Sequence, residues 1–178
     1  MGKAVMFICK KGMDYYKNAK SIDNLTKYVM GDIKERKHLK TVSIGGNGLD
    51  YTDHKKMVKQ IKKVQKVFHK NTGRRMYHFV LLFDESLKEE EQAVSEIADM
   101  IVKEKFHDYQ VIYGVHRDTD NIHIHFAVSP VNYNTGMKFH MNYMEYNSFK
   151  ESVEELAMQY LVESGVVNIS KKEYERIK

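Results

Sequence analysis

At 178 residues, 42% hydrophobic and 30% charged, the chain has the size and make-up of one soluble globular domain and lacks the composition of a disordered segment. Its single cysteine, Cys9, excludes an internal disulfide and a Cys-x-x-Cys zinc site, and fits a reducing, cytoplasmic setting. A formal charge of +5 and a pI near 9.0 are compatible with a polyanionic partner without requiring one.

Lys3 to Cys9 reads as a strand. Its apolar part is too short for a signal peptide or a membrane span, and Met6 stands where N-myristoylation after Gly2 wants Ser or Thr, so no membrane attachment is expected. Ser21 to Met30 reads as a short helix with Ser21 or Asp23 as its cap, and Gly45, Gly46, Asn47 and Gly48 mark a loop. From Thr52 to Lys70, Met57, Ile61, Val64 and Phe68 recur at helical spacing, with Gly73 placed to stop the helix. Lys55, Lys56, Lys59, Lys62, Lys63, Lys66 and Lys70 fill its other faces. With Arg74 and Arg75 they form a run without an acidic residue, either a solvated face or a surface for phosphates.

Met76 to Phe83 is aromatic and branched, a buried strand. Ser86 with Glu89 reads as a capping box before a helix whose apolar stripe, Val94, Ile97 and Ile101, ends near Phe106. Tyr109 to His116 and Ile122 to Val128 then form a hairpin across the polar stretch Arg117 to Asn121. After a loop around Asn134, Thr135 and Gly136, the residues Phe149, Val153, Leu156 and Tyr160 define a last helix ending at Gly165. The order strand, helix, helix, strand, helix, strand, strand, helix predicts an α+β fold: a mostly antiparallel central sheet flanked by helices, in one domain over residues 1–178.

Three of the nine histidines, His116, His123 and His125, fall within ten residues. In a strand His123 and His125 share a face, while Ile122, Ile124, Phe126 and Val128 take the other. A hairpin register that sets His116 opposite His123 puts Gly114 opposite His125 and brings the three imidazoles over one patch, with glycine leaving room beside a metal. A slip of one residue would turn His116 away. A His-x-His strand alone is also what polar surface or hydrogen-bonded core produces. Three neutral ligands leave an ion its full charge and open positions, as Lewis-acid catalysis needs.

The stretches YHFVLLFDE (77–85), HRDTDNIHIHFAVSPVN (116–132) and TGMKFH (135–140) resemble the relaxase, or mobilisation nuclease, family of conjugative and mobilisable elements such as plasmids, within the HUH endonucleases. The pattern His-x-Asp-x4-His-x-His followed by an apolar strand and Asn is specific; the likeness is weak from Gly31 to Gly73. The resemblance implies the relaxase-like fold and a site where His116, His123 and His125 hold magnesium or manganese; imidazole chemistry favours manganese, with zinc or nickel able to enter in vitro. It implies a tyrosine nucleophile near the first helix. The segment Asn24-Leu-Thr-Lys-Tyr28 is similar to that motif and points to Tyr28, with Tyr15 and Tyr16 as the alternatives. Asp118 is either an outer partner accepting a ring N–H from a ligand histidine or a turn-former.

The implied reaction is strand-specific nicking of single-stranded DNA at an origin of transfer, giving a 5′-phosphotyrosine and a free 3′-hydroxyl, with accessory relaxosome proteins and a coupling protein as partners. Lys55, Lys59, Lys62, Lys66, Arg74 and Arg75 then become candidate phosphate contacts. His78 lies beside the site or is a buried, hydrogen-bonded histidine; Tyr133, Phe139 and His140 stack on bases or close the core. Competing expectations are a rolling-circle replication initiator or a transposase of the same superfamily, and a non-catalytic DNA-binding module stabilised by metal.

Overall fold

A computed structural model describes residues 5–10, 16–31 and 41–168; the expectations for Lys3, Ala4 and Tyr15 lie outside them. In chain order the elements are β1 (Val5–Cys9), α1 (Ala19–Val29), β2 (Thr41–Asn47), α2 (His54–Val67), β3 (Tyr77–Phe83), a 3₁₀ turn (Glu85–Leu87), α3 (Glu91–Lys105), β4 (Tyr109–His116), β5 (His123–Asn132) and α4 (Tyr143–Glu163). The strands form one sheet in the order β1-β3-β5-β4-β2, each neighbour antiparallel. This is the α+β architecture that the alternating apolar patterns predict.

Period-two alternation divides the sheet into two chemically different faces. On one, Ile124, Phe126 and Val128 of β5 meet Phe7, Phe79, Leu81, Val111 and Tyr113, closed over by Val94, Ile97 and Ile101 of α3 and by Val153, Ala157 and Leu161 of α4. On the other, Ile112 and Ala127 pack against Ile22, Leu25 and Val29 of α1 and Met57, Val58 and Ile61 of α2. Covered on both faces, the central strand β5 is buried along its whole length. The edge strand β1 is also closed: the Phe7 N–H donates to Glu154 Oε1 (2.7 Å) and the Cys9 N–H to the Tyr146 hydroxyl (2.8 Å), so α4 occupies donors that would invite another strand. The buried Glu154 carboxylate is matched by Lys150 at 2.8 Å.

Four local expectations are corrected. Gly45, Gly46 and Asn47 belong to strand β2, not a loop. A Cβ at Gly45 would strike the Tyr113 ring and one at Gly46 the Val111 carbonyl, so these glycines allow close approach to β4. The cap of α1 is Asn18, whose side chain accepts from the Ser21 N–H (2.9 Å), in place of Ser21 or Asp23. Ser86 sits in the 3₁₀ turn capped by Asp84, and α3 begins at Glu91 without a side-chain cap, so the Ser86–Glu89 capping box does not form. Helix α2 ends at Val67, with His69 in the left-handed region (φ 55°) before Gly73 is reached.

Candidate active site

The β4–β5 register sets His116 opposite His123 and Gly114 opposite His125, the pairing required for convergence. Ring centroids lie 4.7 Å apart for His116 and His125, 4.8 Å for His123 and His125, and 5.7 Å for His116 and His123. One ligand nitrogen from each falls within 4.8 Å of the other two, and all three residues are buried. Three nitrogens each about 2.1 Å from a common tetrahedral ion lie about 3.4 Å apart, so binding would draw the rings together by up to about 1.4 Å. The space at Gly114 is not left beside the metal as expected. A Cβ there would collide with the Val29 carbonyl and come within 3.1 Å of His116 Nε2, so glycine makes room for the last turn of α1.

Hydrogen bonds fix which nitrogens carry protons. Carbonyls only accept, so His116 donates Nε2–H to the Val29 carbonyl (2.8 Å) and His123 donates Nδ1–H to that of Asn121 (2.9 Å). That leaves a lone pair on His116 Nδ1, which is buried with no hydrogen-bond partner among the described residues, while His123 Nε2 lies 3.6 Å from Asp118 Oδ1. Burial pushes the pKa of His116 below its ordinary value, as does His123, against the raising effects of the Val29 bond and Asp118. Burial pushes His125 further down, helped by His116, His78, His123 and Lys10. Converging imidazole nitrogens, one of them buried and unpartnered among the described residues, are the donor set a divalent transition ion prefers, and the residues fit such an ion.

Around this triad the structure gathers a second ring of side chains. The Tyr28 hydroxyl, from the last turn of α1, lies 3.4 Å from His125 Nε2, and its ring packs against His125, His78 and His116 at 5.0, 5.7 and 6.0 Å. His78, on β3, is buried with Nε2 3.0 Å from His125 Nδ1, so it is both hydrogen-bonded and beside the site. Its Nδ1 lies 3.1 Å from the Tyr16 hydroxyl. Asp118 Oδ1 is 3.6 Å from His123 Nε2, just beyond hydrogen-bond reach, while the Nδ1–H of His123 goes to the Asn121 carbonyl.

Residues 28–162 match the family described as Relaxase: MobA/VirD2-like, nuclease domain, which is three quarters of the chain. The chain belongs to the relaxase family. It is also similar to "Protein MobA" of Acidithiobacillus ferrooxidans, 38% identical over 55 residues that cover 30% of this chain and 13% of that protein. The matched stretch is a small part of that relative's length. Membership supports, in general terms, a nicking nuclease that acts on DNA.

The basic residues divide. Lys55, Lys59 and Lys66 are exposed and Lys62 half-buried on α2, whose apolar side covers the same face of the sheet from which the histidines project. The Arg74 guanidinium lies 4.4 Å over the Tyr77 ring. Arg75 is corrected: only 8% exposed, it donates to Gln65 Oε1 and to the Asn71 carbonyl, tying α2 to β3 rather than facing solvent. Two further cations carry no signal in the sequence pattern. Lys10 bears on His125, and Lys138 shares its end of the relaxase domain with Arg75, Lys70 and Arg74, its pKa lowered first by burial and then by those charges. Phe139 closes the core against Tyr77, Tyr109 and Phe149; Tyr133 hydrogen-bonds the His107 carbonyl, and His140 is exposed. Among the described residues no helix is long and apolar enough to cross a membrane.

Proposed function

We propose that this relaxase domain, residues 1–178 as one unit, nicks single-stranded DNA at an origin of transfer for mobilisation, with Tyr28 as nucleophile and His116, His123 and His125 as ligands of a divalent ion, manganese or magnesium. The observation that carries the reading is the Tyr28 hydroxyl 3.4 Å from a nitrogen of His125, inside a triad of converging imidazoles. A bound divalent ion would supply Lewis-acid charge to the scissile phosphate. The triad's part is to hold it with uncharged donors, so that none of its charge is cancelled.

Tyr28 Oη forms the new bond to phosphorus and the bond from phosphorus to the 3′ oxygen breaks. The phenol proton is lost and the departing 3′ oxygen takes one up, leaving a 5′-phosphotyrosine and a 3′-hydroxyl. One phosphodiester replaces another, so the strand can be rejoined. A phenol ionises near pH 10 in water, so Tyr28 depends on a positive local field of the kind a bound ion would supply. The side chains of α2 on the same side offer phosphate contacts that position the strand without reading its sequence.

Incubation with single-stranded oligonucleotides carrying candidate transfer origins, with manganese, tests this on a denaturing gel. A covalent product is expected from the native protein and from none of Tyr28→Phe, His123→Ala or a chelator-treated sample. An undiminished product from Tyr28→Phe would reject the assignment.

A further inference from the structure

Each imidazole of the triad has its other ring nitrogen engaged, and the three partners are not alike. His116 and His123 are held by main-chain carbonyls, of Val29 and Asn121, which dictate the tautomer outright. His125 instead meets another imidazole, His78, whose far nitrogen meets the Tyr16 hydroxyl. Two facing imidazole nitrogens share one proton, so this contact is directional only if something else orders it. The ion's need for a lone pair on His125 Nε2 selects the direction, and Tyr16, whose hydroxyl both donates and accepts, allows it. Tyr16 occupies the left-handed region at φ 63°, uncommon for a residue with a side chain, and the Arg75 N–H holds its carbonyl at 2.7 Å. A backbone fixed in a sparsely populated conformation places that hydroxyl on His78 Nδ1.

Resting on the triad being a metal site, we infer that His78 and Tyr16 are positioning residues: His125 Nδ1–H donates to His78 Nε2, His78 Nδ1–H donates to Tyr16 Oη, and His125 Nε2 is thereby left as the lone pair offered to the ion. These hydrogen bonds also separate the two tyrosines. Tyr16 stands behind a ligand with His78 interposed, whereas Tyr28 stands at the ligand nitrogen itself. Tyr16 is therefore a buttress and not an alternative nucleophile. For His116 and His123 the outer partner is a main-chain carbonyl, where a carboxylate often supports a ligand histidine.

The test combines Mn²⁺ titration calorimetry with long-range ¹H–¹⁵N spectra of the histidine rings, on native protein and on His78→Ala, His78→Gln, Tyr16→Phe and His123→Ala. His123→Ala should lose binding and acts as the control for the triad itself. His78→Ala should weaken Mn²⁺ binding about 10–100-fold, as loss of an outer partner does. Tyr16→Phe should weaken it less, and His78→Gln, whose amide can accept from His125 and donate to Tyr16, should recover most of the loss. In metal-free native protein His125 should show the single Nδ1–H form, giving way to a mixture in His78→Ala. Native affinity in His78→Ala, or a mixed His125 tautomer in native protein, would overturn the inference. If native protein binds no Mn²⁺, the metal reading fails separately and the ring spectra alone decide the hydrogen-bond chain.

Discussion

His116 and His125 are bases that the fold keeps uncharged, both held below the ordinary histidine value of 6.5, chiefly by burial. The unfolded chain takes up protons as pH falls through about 6.5 while the folded chain does not. Their contribution to stability is therefore complete above that pH and declines below it. Metal-free protein followed by thermal melting from about pH 8 to about pH 5 should lose stability on the acid side, and His125→Gln should flatten the decline. A melting temperature that rises with acidification would contradict this account of the buried rings. Tyr28 is a separate case at the same scale. Its ring lies among three histidines, so Tyr28→Phe keeps the packing and removes only the oxygen. That variant should melt as the native protein does and bind DNA equally well by fluorescence anisotropy, yet form no adduct.

Element by element, the site depends on how α1 is seated. Gly114 lets the last turn of α1 approach β4 closely enough for Val29 to hold His116 and for Tyr28 to reach His125. Gly114→Ala should cost about 1–3 kcal/mol in urea denaturation through overpacking, and should lower activity more than Gly46→Ala does, because it unseats the helix that carries Tyr28. Glu154→Ala leaves the Phe7 N–H of an edge strand without its acceptor and should cost about 1–3 kcal/mol. The hairpin was legible because His-x-His at period two, with isoleucines between, admits only one register that converges. Strand β2 was not, because its glycines serve contacts with Tyr113 and Val111 on β4, a strand distant in sequence. The same holds for the tautomers. The Val29 and Asn121 carbonyls carry no side-chain signal, and Tyr16 and His78 meet only after folding. Arg75 read as surface because a run of cations resembles a solvated face, and nothing local announces Gln65 as its buried partner.

At the scale of the whole molecule, one face of the sheet is packed for stability by α3 and α4, while the other carries the triad, Tyr28 and the lysines of α2. If those lysines track a single strand, Lys55→Ala, Lys59→Ala and Lys66→Ala combined should weaken binding of all sequences alike. The logarithmic salt slope should become shallower by about 2, at about 0.7 for each phosphate no longer neutralised. An unchanged slope would place the DNA elsewhere. The central claim is that the phenol oxygen beside the triad forms the bond to phosphorus. Peptide mass mapping of the protein–DNA adduct tests it most directly: the nucleotide is expected on Tyr28 alone, and an adduct mapped to Tyr16 or to any other residue would contradict the claim.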